Sequence, residues 1–267
     1  MRKKLVVTGV ICLALSFVQA HEFWLQPKKF RYVVGDEMKV DFIVGENFTG
    51  EFWDLNKNKV EKAEIFVNGV TKNILKDIKS TSGNNLTYKF DKPGTHVVSL
   101  ESNSAFIELE AEKFNAYLQE DGLDEILDAR TNSKTLNKPS KEFYKRFAKL
   151  IVQSGTTLDE SYRRRLGFRY EIIPLTNPYS LKVGDYLECR VLWEGKVAAH
   201  SLVKVWSHIS GRIFLQNIYT ENDGTIKFPI SSAGPWMVSA VKMIPSEMEG
   251  ADYQSFWSSL VFGIENQ

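Results

Sequence analysis

Apolar and polar residues alternate over many short stretches of this chain, and turn signals separate the stretches. This pattern is typical of β-strands. The segments 32–44 and 180–192 each contain a short apolar run, a Gly-Asp pair and then an alternating strand. The segments 93–100 and 233–240 resemble each other in the same way. The chain therefore contains the same β unit twice, which predicts a mainly β fold with two immunoglobulin-like β-sandwich domains.

The middle of the chain has a different pattern. Apolar residues follow helical spacing over 112–130, with a break at Gly122, and again over 140–153. In the second segment, the apolar stripe consists of Phe143, Phe147, Leu150 and Ile151, and the predicted solvated face carries Lys145, Arg146 and Lys149. We therefore predict a small helical insert between the two sandwiches.

The N-terminus has the organisation of a secretory signal peptide. A basic start precedes an apolar run at 5–17, and Val18-Gln19-Ala20 forms a small-x-small cleavage site. The predicted organisation is a signal at 1–20, an N-terminal sandwich at 21–111, a helical connector at 112–166 and a C-terminal sandwich at 167–267. Cleavage after Ala20 makes His21 the first residue of the exported protein.

An N-terminal histidine combines a free α-amine with an imidazole. The two nitrogens can close a chelate ring on Cu(II) or Ni(II), which favour nitrogen ligands. The ordinary pKa of an α-amine is about 7.7–8.0, so a metal can displace its proton near neutral pH. His21 is therefore the first candidate metal ligand, and further ligands have to come from elsewhere in the fold.

Composition restricts the function classes. The chain has 34 basic and 33 acidic residues, and removing the signal removes three basic ones, which leaves 31 against 33. This balance does not favour nucleic acid as a partner. No second apolar segment approaches the ~20 residues of a membrane span, so we predict no integral membrane segment after signal removal. Outside the signal, Cys189 is the single cysteine, and its strand context predicts a buried, inert thiol.

Three histidines besides His21 are available as ligands. His96 shares a predicted strand face with Val98 and lies next to a turn, so it is either a core residue or a ligand at the sandwich rim. His208 precedes a predicted turn and is more accessible, whereas His200 is the weaker candidate. The predicted metal ligands are His21, His96 and His208.

Motifs of enzyme chemistry are absent from the sequence. No glycine-rich phosphate loop follows a strand, no Gly-x-Ser-x-Gly elbow occurs, and the histidines lack the His-Glu-x-x-His spacing of zinc proteases. We therefore predict no catalytic residues.

Several segments resemble one family of bacterial periplasmic proteins: HEFWLQP at 21–27, GENFTG at 45–50, KFNAYL at 113–118 and EIIPLTNPY at 171–179. The family's domain is catalogued as of unknown function, and its members are often described as periplasmic components of cobalt or nickel uptake systems. The resemblance implies a periplasmic protein that binds Ni(II) or Co(II) and works with a membrane importer.

Two alternatives stay open at this point. An N-terminal histidine with a second histidine is also the copper arrangement of oxidative polysaccharide-cleaving enzymes, which likewise use β-sandwiches. The third interpretation is a structural or adhesive module in which the helical insert is the partner surface and no metal is involved.

Overall fold

The computed structural model describes residues 22–209 and 211–265. His21 and the predicted signal at 1–20 lie outside the described residues. The N-terminal half contains β1 (Glu22–Pro27), β2 (Arg31–Tyr32), β3 (Glu37–Glu46), β4 (Thr49–Phe52), β5 (Val60–Val67), β6 (Val70–Asn73), β7 (Leu86–Lys89), β8 (Gly94–Ser102), β9 (Ala105–Leu109), α1 (Ala111–Glu120) and α2 (Asp124–Asn132). The remainder contains β10 (Ser140–Ser154), β11 (Tyr170–Pro174), β12 (Tyr186–Trp193), β13 (Lys196–Val197), β14 (Leu202–Ile209), β15 (Arg212–Tyr219), β16 (Thr225–Pro229), β17 (Gly234–Pro245) and β18 (Tyr253–Ile264), with short 3₁₀ turns at Leu75–Asp77, Glu160–Arg163 and Pro178–Ser180.

The strands form three sheets. A ten-stranded central sheet has the order β15-β14-β17-β18-β10-β8-β5-β6, with β2 and β9 also paired to β10. A four-stranded sheet of β1, β3, β4 and β7 covers one face, and a four-stranded sheet of β11, β12, β13 and β16 covers the other. Each covering sheet shares a hydrophobic core with the central sheet. The predicted mainly β sandwich class is confirmed, and the two sandwiches share one continuous sheet.

The duplicated Gly-Asp turns make equivalent hydrogen bonds. Gly35 donates its N–H to the carbonyl of Phe90 over 2.8 Å, and Gly184 donates its N–H to the carbonyl of Ile230 over 2.9 Å. The φ angles of the two glycines are 98° and 99°, a conformation that side-chain-bearing residues rarely adopt. The turns therefore place β3 and β12 in the same way within their covering sheets.

The predicted helix over 140–153 is wrong, because this segment is the fifteen-residue strand β10. β10 pairs in parallel with β18 and antiparallel with β8 and β9, and both of its faces are covered. Its apolar residues at 143, 147, 150 and 151 satisfy helical spacing by coincidence, and the polar residues between them, which suggested a solvated helix face, lie in a strand that is buried over most of its length. The predicted solvated face is equally wrong for Arg146 and Lys149, which are buried.

The helical prediction over 112–130 is confirmed as α1 and α2. Phe114, Tyr117 and Leu118 of α1 are buried against β17 and β18. Gly122 separates the helices with a φ of 64°, and a Cβ at this residue would lie 2.8 Å from Cβ of Leu202. No side chain fits there, so the break in the helical pattern has a packing cause.

The boundaries predicted at 21–111, 112–166 and 167–267 stay a prediction, but all three segments contribute strands to the central sheet. No helix in the described part of the chain has the length and apolar content needed to cross a bilayer.

Gly263 of β18 tests how tightly the central sheet is packed. A Cβ at this residue would lie 2.3 Å from Cγ and 2.7 Å from Cβ of Phe30, both near the base of that side chain. We expect Gly263→Ala to lower the free energy of unfolding by about 1–3 kcal/mol through overpacking, measured by denaturant titration.

The matched background for this test is Phe30→Ala. Removing the ring should reduce the cost of the Gly263→Ala change in a double-mutant cycle, although the remaining Cβ at residue 30, at 2.7 Å, keeps part of the overlap. An equal cost in both backgrounds would contradict the proposed contact.

Candidate functional site

A small acidic crevice opens where the start of β1, the end of β3, the end of α1 and the middle of β14 meet. These elements come from three distant parts of the sequence, and the central sheet holds them together. The crevice is lined by Glu22, Glu46, Asn47, Tyr117, Glu120, Asp121, Lys204 and Trp206.

Lys204 is the cation of the crevice. Its Nζ lies 2.6 Å from Oδ1 of Asp121 and 3.8 Å from Oε1 of Glu22. All three residues are buried, with less than a tenth of their surface exposed. The crevice therefore contains a buried ion cluster, in which loss of one partner would leave uncompensated charge.

Burial changes the proton affinity of these carboxyls. Desolvation raises the pKa of Glu22 to about 7 and that of Asp121 to about 6, although Lys204 opposes both shifts. Burial lowers the pKa of Lys204, but the facing carboxylates outweigh it and raise the pKa above its ordinary value. The two acids therefore titrate near neutral pH while Lys204 stays charged.

A further buried carboxyl lies behind the crevice. Tyr117 donates its hydroxyl to Oε1 of Glu142 over 3.3 Å, and Ser255 also donates to this oxygen. Trp257 donates its indole N–H to Oγ of Ser255 over 2.9 Å. Oε2 of Glu142 has no partner among the described residues, and desolvation raises the pKa of Glu142 to about 7. Tyr117 thus connects the crevice lining to an interior acid.

His96, a predicted ligand, is fully buried in the core. Its ring packs against Phe90 at 4.8 Å and Tyr88 at 6.1 Å between centroids. Nδ1 lies 3.1 Å from the carbonyl oxygen of Gly94, and Nε2 has no partner among the described residues. Burial lowers the pKa of His96, so the ring is neutral in the core.

His208, the other described candidate, is half-buried on β14. Its ring makes an edge contact with Phe48 at 5.1 Å, and Phe48 in turn contacts Trp24 at 5.4 Å. β14 and β8 are separated by four strand spacings, or about 19 Å. The structure therefore does not bring His96 and His208 together around one ion.

Two other residues considered in the sequence analysis, Cys189 and His200, lie within the described part of the chain. Cys189 is a free, buried cysteine, as predicted, and burial raises the pKa of its thiol. His200 is exposed. Within 22–209 and 211–265, no group of three or more His, Cys, Asp or Glu side chains converges in a way that could hold a metal ion.

Sequence reasoning missed the ion cluster. Lys204 interrupts the apolar run Leu-Val-Lys-Val-Trp at 202–206, and a charge inside a strand that is buried on both faces calls for a partner. This signal was present, but nothing in the sequence identified Asp121 and Glu22 as the partners.

Residues 18–243 match the family described as "Domain of unknown function (DUF4198)". The chain belongs to this family. The predicted resemblance is confirmed at that level, and the description assigns the family no metal and no transport role. No curated protein shows a significant match to the chain.

Solved structures show only weak likeness. The Salmonella alpha-2-macroglobulin reacted with methylamine is 12% identical, with 89% of this chain and 16% of that chain covered and a TM-score of 0.24. The three N-terminal domains of the bacteriophage RB49 outer capsid protein Hoc are 8% identical, with 92% and 71% covered and a TM-score of 0.21. The chicken CNTN1 FN1–FN3 domains are 7% identical, with 88% and 63% covered and a TM-score of 0.18. Scores this low carry no argument about function.

The ion cluster generates a pH-dependent stability prediction. We expect Lys204→Met to lower the free energy of unfolding by about 3–5 kcal/mol near pH 8, because two buried carboxylates lose their cation. A carboxyl group whose pKa is raised on folding destabilises the folded state progressively as the pH rises from the pKa of the unfolded chain to the pKa of the folded protein. At pH 5 Glu22 and Asp121 hold protons, so the loss should be much smaller.

Chemical denaturation of wild type and variant at both pH values measures this difference. Lys196→Met on the exposed strand β13 is the matched control and should be neutral at both. An equal loss for Lys204→Met at the two pH values would show that packing, rather than charge, is responsible.

Proposed function

We propose that this protein is a periplasmic transition-metal-binding protein that takes up nickel or cobalt and passes it to a membrane importer. The observation that carries the proposal is the place of Glu22 in the acidic crevice. Cleavage after Ala20 would leave His21 as the first residue, and His21 is joined to Glu22 by one peptide bond. A nitrogen chelate at the new N-terminus would therefore be formed beside buried carboxylates.

The chemistry of the crevice suits a divalent cation. Four carboxyl groups, those of Glu22, Glu46, Glu120 and Asp121, line it together with the single ammonium of Lys204. Nickel and cobalt accept imidazole and amine nitrogen with carboxylate oxygen. The described residues do not form a metal site by themselves, so the proposal requires the amine and imidazole of His21 as the primary ligands.

The internal histidines differ in how well they could join His21. A metal on His96 would have to enter an aromatic core in which the ring is fully buried. His208 is half-buried and on the strand that also carries Lys204. This difference favours His208 as the additional nitrogen ligand.

The direct test is titration of two forms of the protein with Ni(II), Co(II) and Cu(II), monitored by calorimetry. One form begins at His21, with the N-terminus verified by mass spectrometry, and in the other the α-amine of His21 is acetylated. We expect stoichiometric binding to the first form and binding weakened at least about a hundredfold in the second, because the chelating amine is lost.

Variants of single histidines separate their contributions to metal binding. His21→Ala and His208→Ala should both weaken binding, whereas His200→Ala, at an exposed position, is the matched control and should not. Equal binding, or none, in both N-terminal forms would exclude the chelate and leave an interaction module. Copper-dependent peroxide consumption by the His21 form would instead favour the histidine-brace interpretation.

Metal affinity should depend on pH with a defined sign. As pH falls from about 7.5 to about 5.5, protons compete for the imidazole and amine nitrogens. The raised pKa values of Glu22 and Asp121 place carboxyl protonation in the same window. We expect the Ni(II) affinity to fall by about tenfold or more per pH unit, measured by calorimetry at constant ionic strength. A constant affinity across this range would rule out nitrogen ligation.

A further inference from the structure

β15 forms one edge of the central sheet. Among the described strands it pairs only with β14, in the register that runs from Leu202 opposite Tyr219 to Ile209 opposite Arg212. Its other edge therefore presents backbone N–H and C=O groups that have no strand partner in the described part of the chain. Such an edge is a template for pairing with another strand.

After Arg212 at its first position, β15 lacks the charges and prolines that commonly protect a sheet edge. Residues 213–219 read Ile-Phe-Leu-Gln-Asn-Ile-Tyr and contain no charge, proline or glycine. Three of these side chains have large exposed fractions, namely Phe214 with 46%, Leu215 with 43% and Tyr219 with 52%. The opposite edge strand, β6, is only four residues long and carries Lys72, which is how edges are commonly protected. The apolar character is therefore specific to the β15 edge.

The hydrogen bonds fix which residues face outward. Thr220 donates its N–H to the carbonyl of Ser201 over 3.0 Å, and its carbonyl accepts from the N–H of His200 over 3.0 Å, so both backbone groups of Thr220 face the segment that leads into β14. Bonding alternates along an antiparallel ladder. Even-numbered residues of β15 therefore bond to β14, and the outward-facing backbone groups belong to Ile213, Leu215, Asn217 and Tyr219.

We propose that β15 pairs antiparallel with β15 of a second copy of this chain, with the two-fold axis at Gln216. Outward-facing residues can bond only to outward-facing residues, so the axis must pass through a residue. An axis at Gln216 engages all seven uncharged positions, whereas an axis at Leu215 leaves Tyr219 unmatched and one at Asn217 leaves Ile213 unmatched. About eight backbone hydrogen bonds would form in this register.

The side chains are self-complementary in that register. Ile213 faces Tyr219 of the second copy, and Phe214 faces its Ile218. Pairs of an aromatic and a β-branched residue are favourable across antiparallel strands. Gln216 faces its own equivalent, where the two amides can donate to each other. Because 213–219 carry no charge, this register places no like charges opposite each other, and Arg212 faces Thr220.

The position of this edge is relevant to the crevice. β14 carries Lys204 and Trp206 and is the direct neighbour of β15. In the proposed dimer the two β14 strands are separated by three strand spacings, or about 14 Å. The two crevices then lie on the same face of one sheet of twenty strands. This arrangement does not depend on metal binding.

The test uses the exported protein and charge substitutions at the two-fold axis. We expect the wild type to have twice the mass of one chain by sedimentation equilibrium in the range of about 1–100 µM. Gln216→Lys places two ammonium groups opposite each other, and Gln216→Glu places two carboxylates. Each variant alone should raise the dimer Kd about tenfold or more, because like charges directly opposite are destabilising. A one-to-one mixture of the two should restore the dimer.

The control is Thr71→Lys, a charge on the opposite edge strand β6, which should leave the dimer intact. Amide exchange followed by NMR gives a second measurement that needs no variant. In the dimer, the outward amides of residues 213, 215, 217 and 219 should exchange more slowly as concentration rises, while those of 214, 216 and 218 stay protected by β14.

Three results would overturn the proposal. If the wild type is monomeric throughout this concentration range and its outward amides exchange fast, the dimer is rejected. The exposed edge of β15 would then be available only to a strand of a different protein. A mixture of the two Gln216 variants that stays monomeric would reject the two-fold axis. Dissociation by Thr71→Lys would show that the association does not involve β15.

Discussion

β10 lies inside the central sheet and has no solvent-facing side over most of its length. It pairs with β18 on one edge and with β8 and β9 on the other, so it joins the strands of the two halves of the chain. Alternate residues enter different cores: Ala148, Leu150 and Val152 pack beneath the N-terminal covering sheet, and Phe147 and Ile151 pack beneath the other. Both covering sheets therefore bury part of their apolar faces against this one strand.

Most polar groups on a strand that is buried on both faces need a hydrogen-bond partner. Lys149 fulfils this requirement by donating to Oε1 of Glu171 over 2.6 Å and to the carbonyl of Ile172 over 2.9 Å. Glu171 also accepts from the backbone N–H groups of Leu166 and Gly167. A buried pair of this kind gives little net stability, but breaking it is costly. Its effect is to fix the position of β11 relative to β10.

The acidic crevice also contains a buried lysine with carboxyl partners, but the arrangement of the charges is different. The ammonium of Lys204 faces the buried carboxyls of Asp121 and Glu22, and burial raises the pKa of Glu22 to about 7 and that of Asp121 to about 6. Glu171 accepts hydrogen bonds from Lys149 and from two backbone N–H groups. The carboxyls of Glu22 and Asp121 instead share the one ammonium of Lys204. The Lys149 pair therefore has a structural role, whereas the proposed function is based on the carboxyls around Lys204.

The sequence by itself determined the elements whose signal is local. Alternation, turn glycines such as Gly35 and Gly184, and the α1–α2 pattern around Gly122 depend on neighbours within a few residues, and these predictions are confirmed. The sequence wrongly favoured a helix over 140–153, because Phe143, Phe147, Leu150 and Ile151 satisfy helical spacing although the segment is a strand. Only the tertiary structure decided that His96 lies in the core away from His208, and that Asp121, Glu22 and Lys204 meet. Convergence of that kind depends on sheet order, which local sequence does not encode.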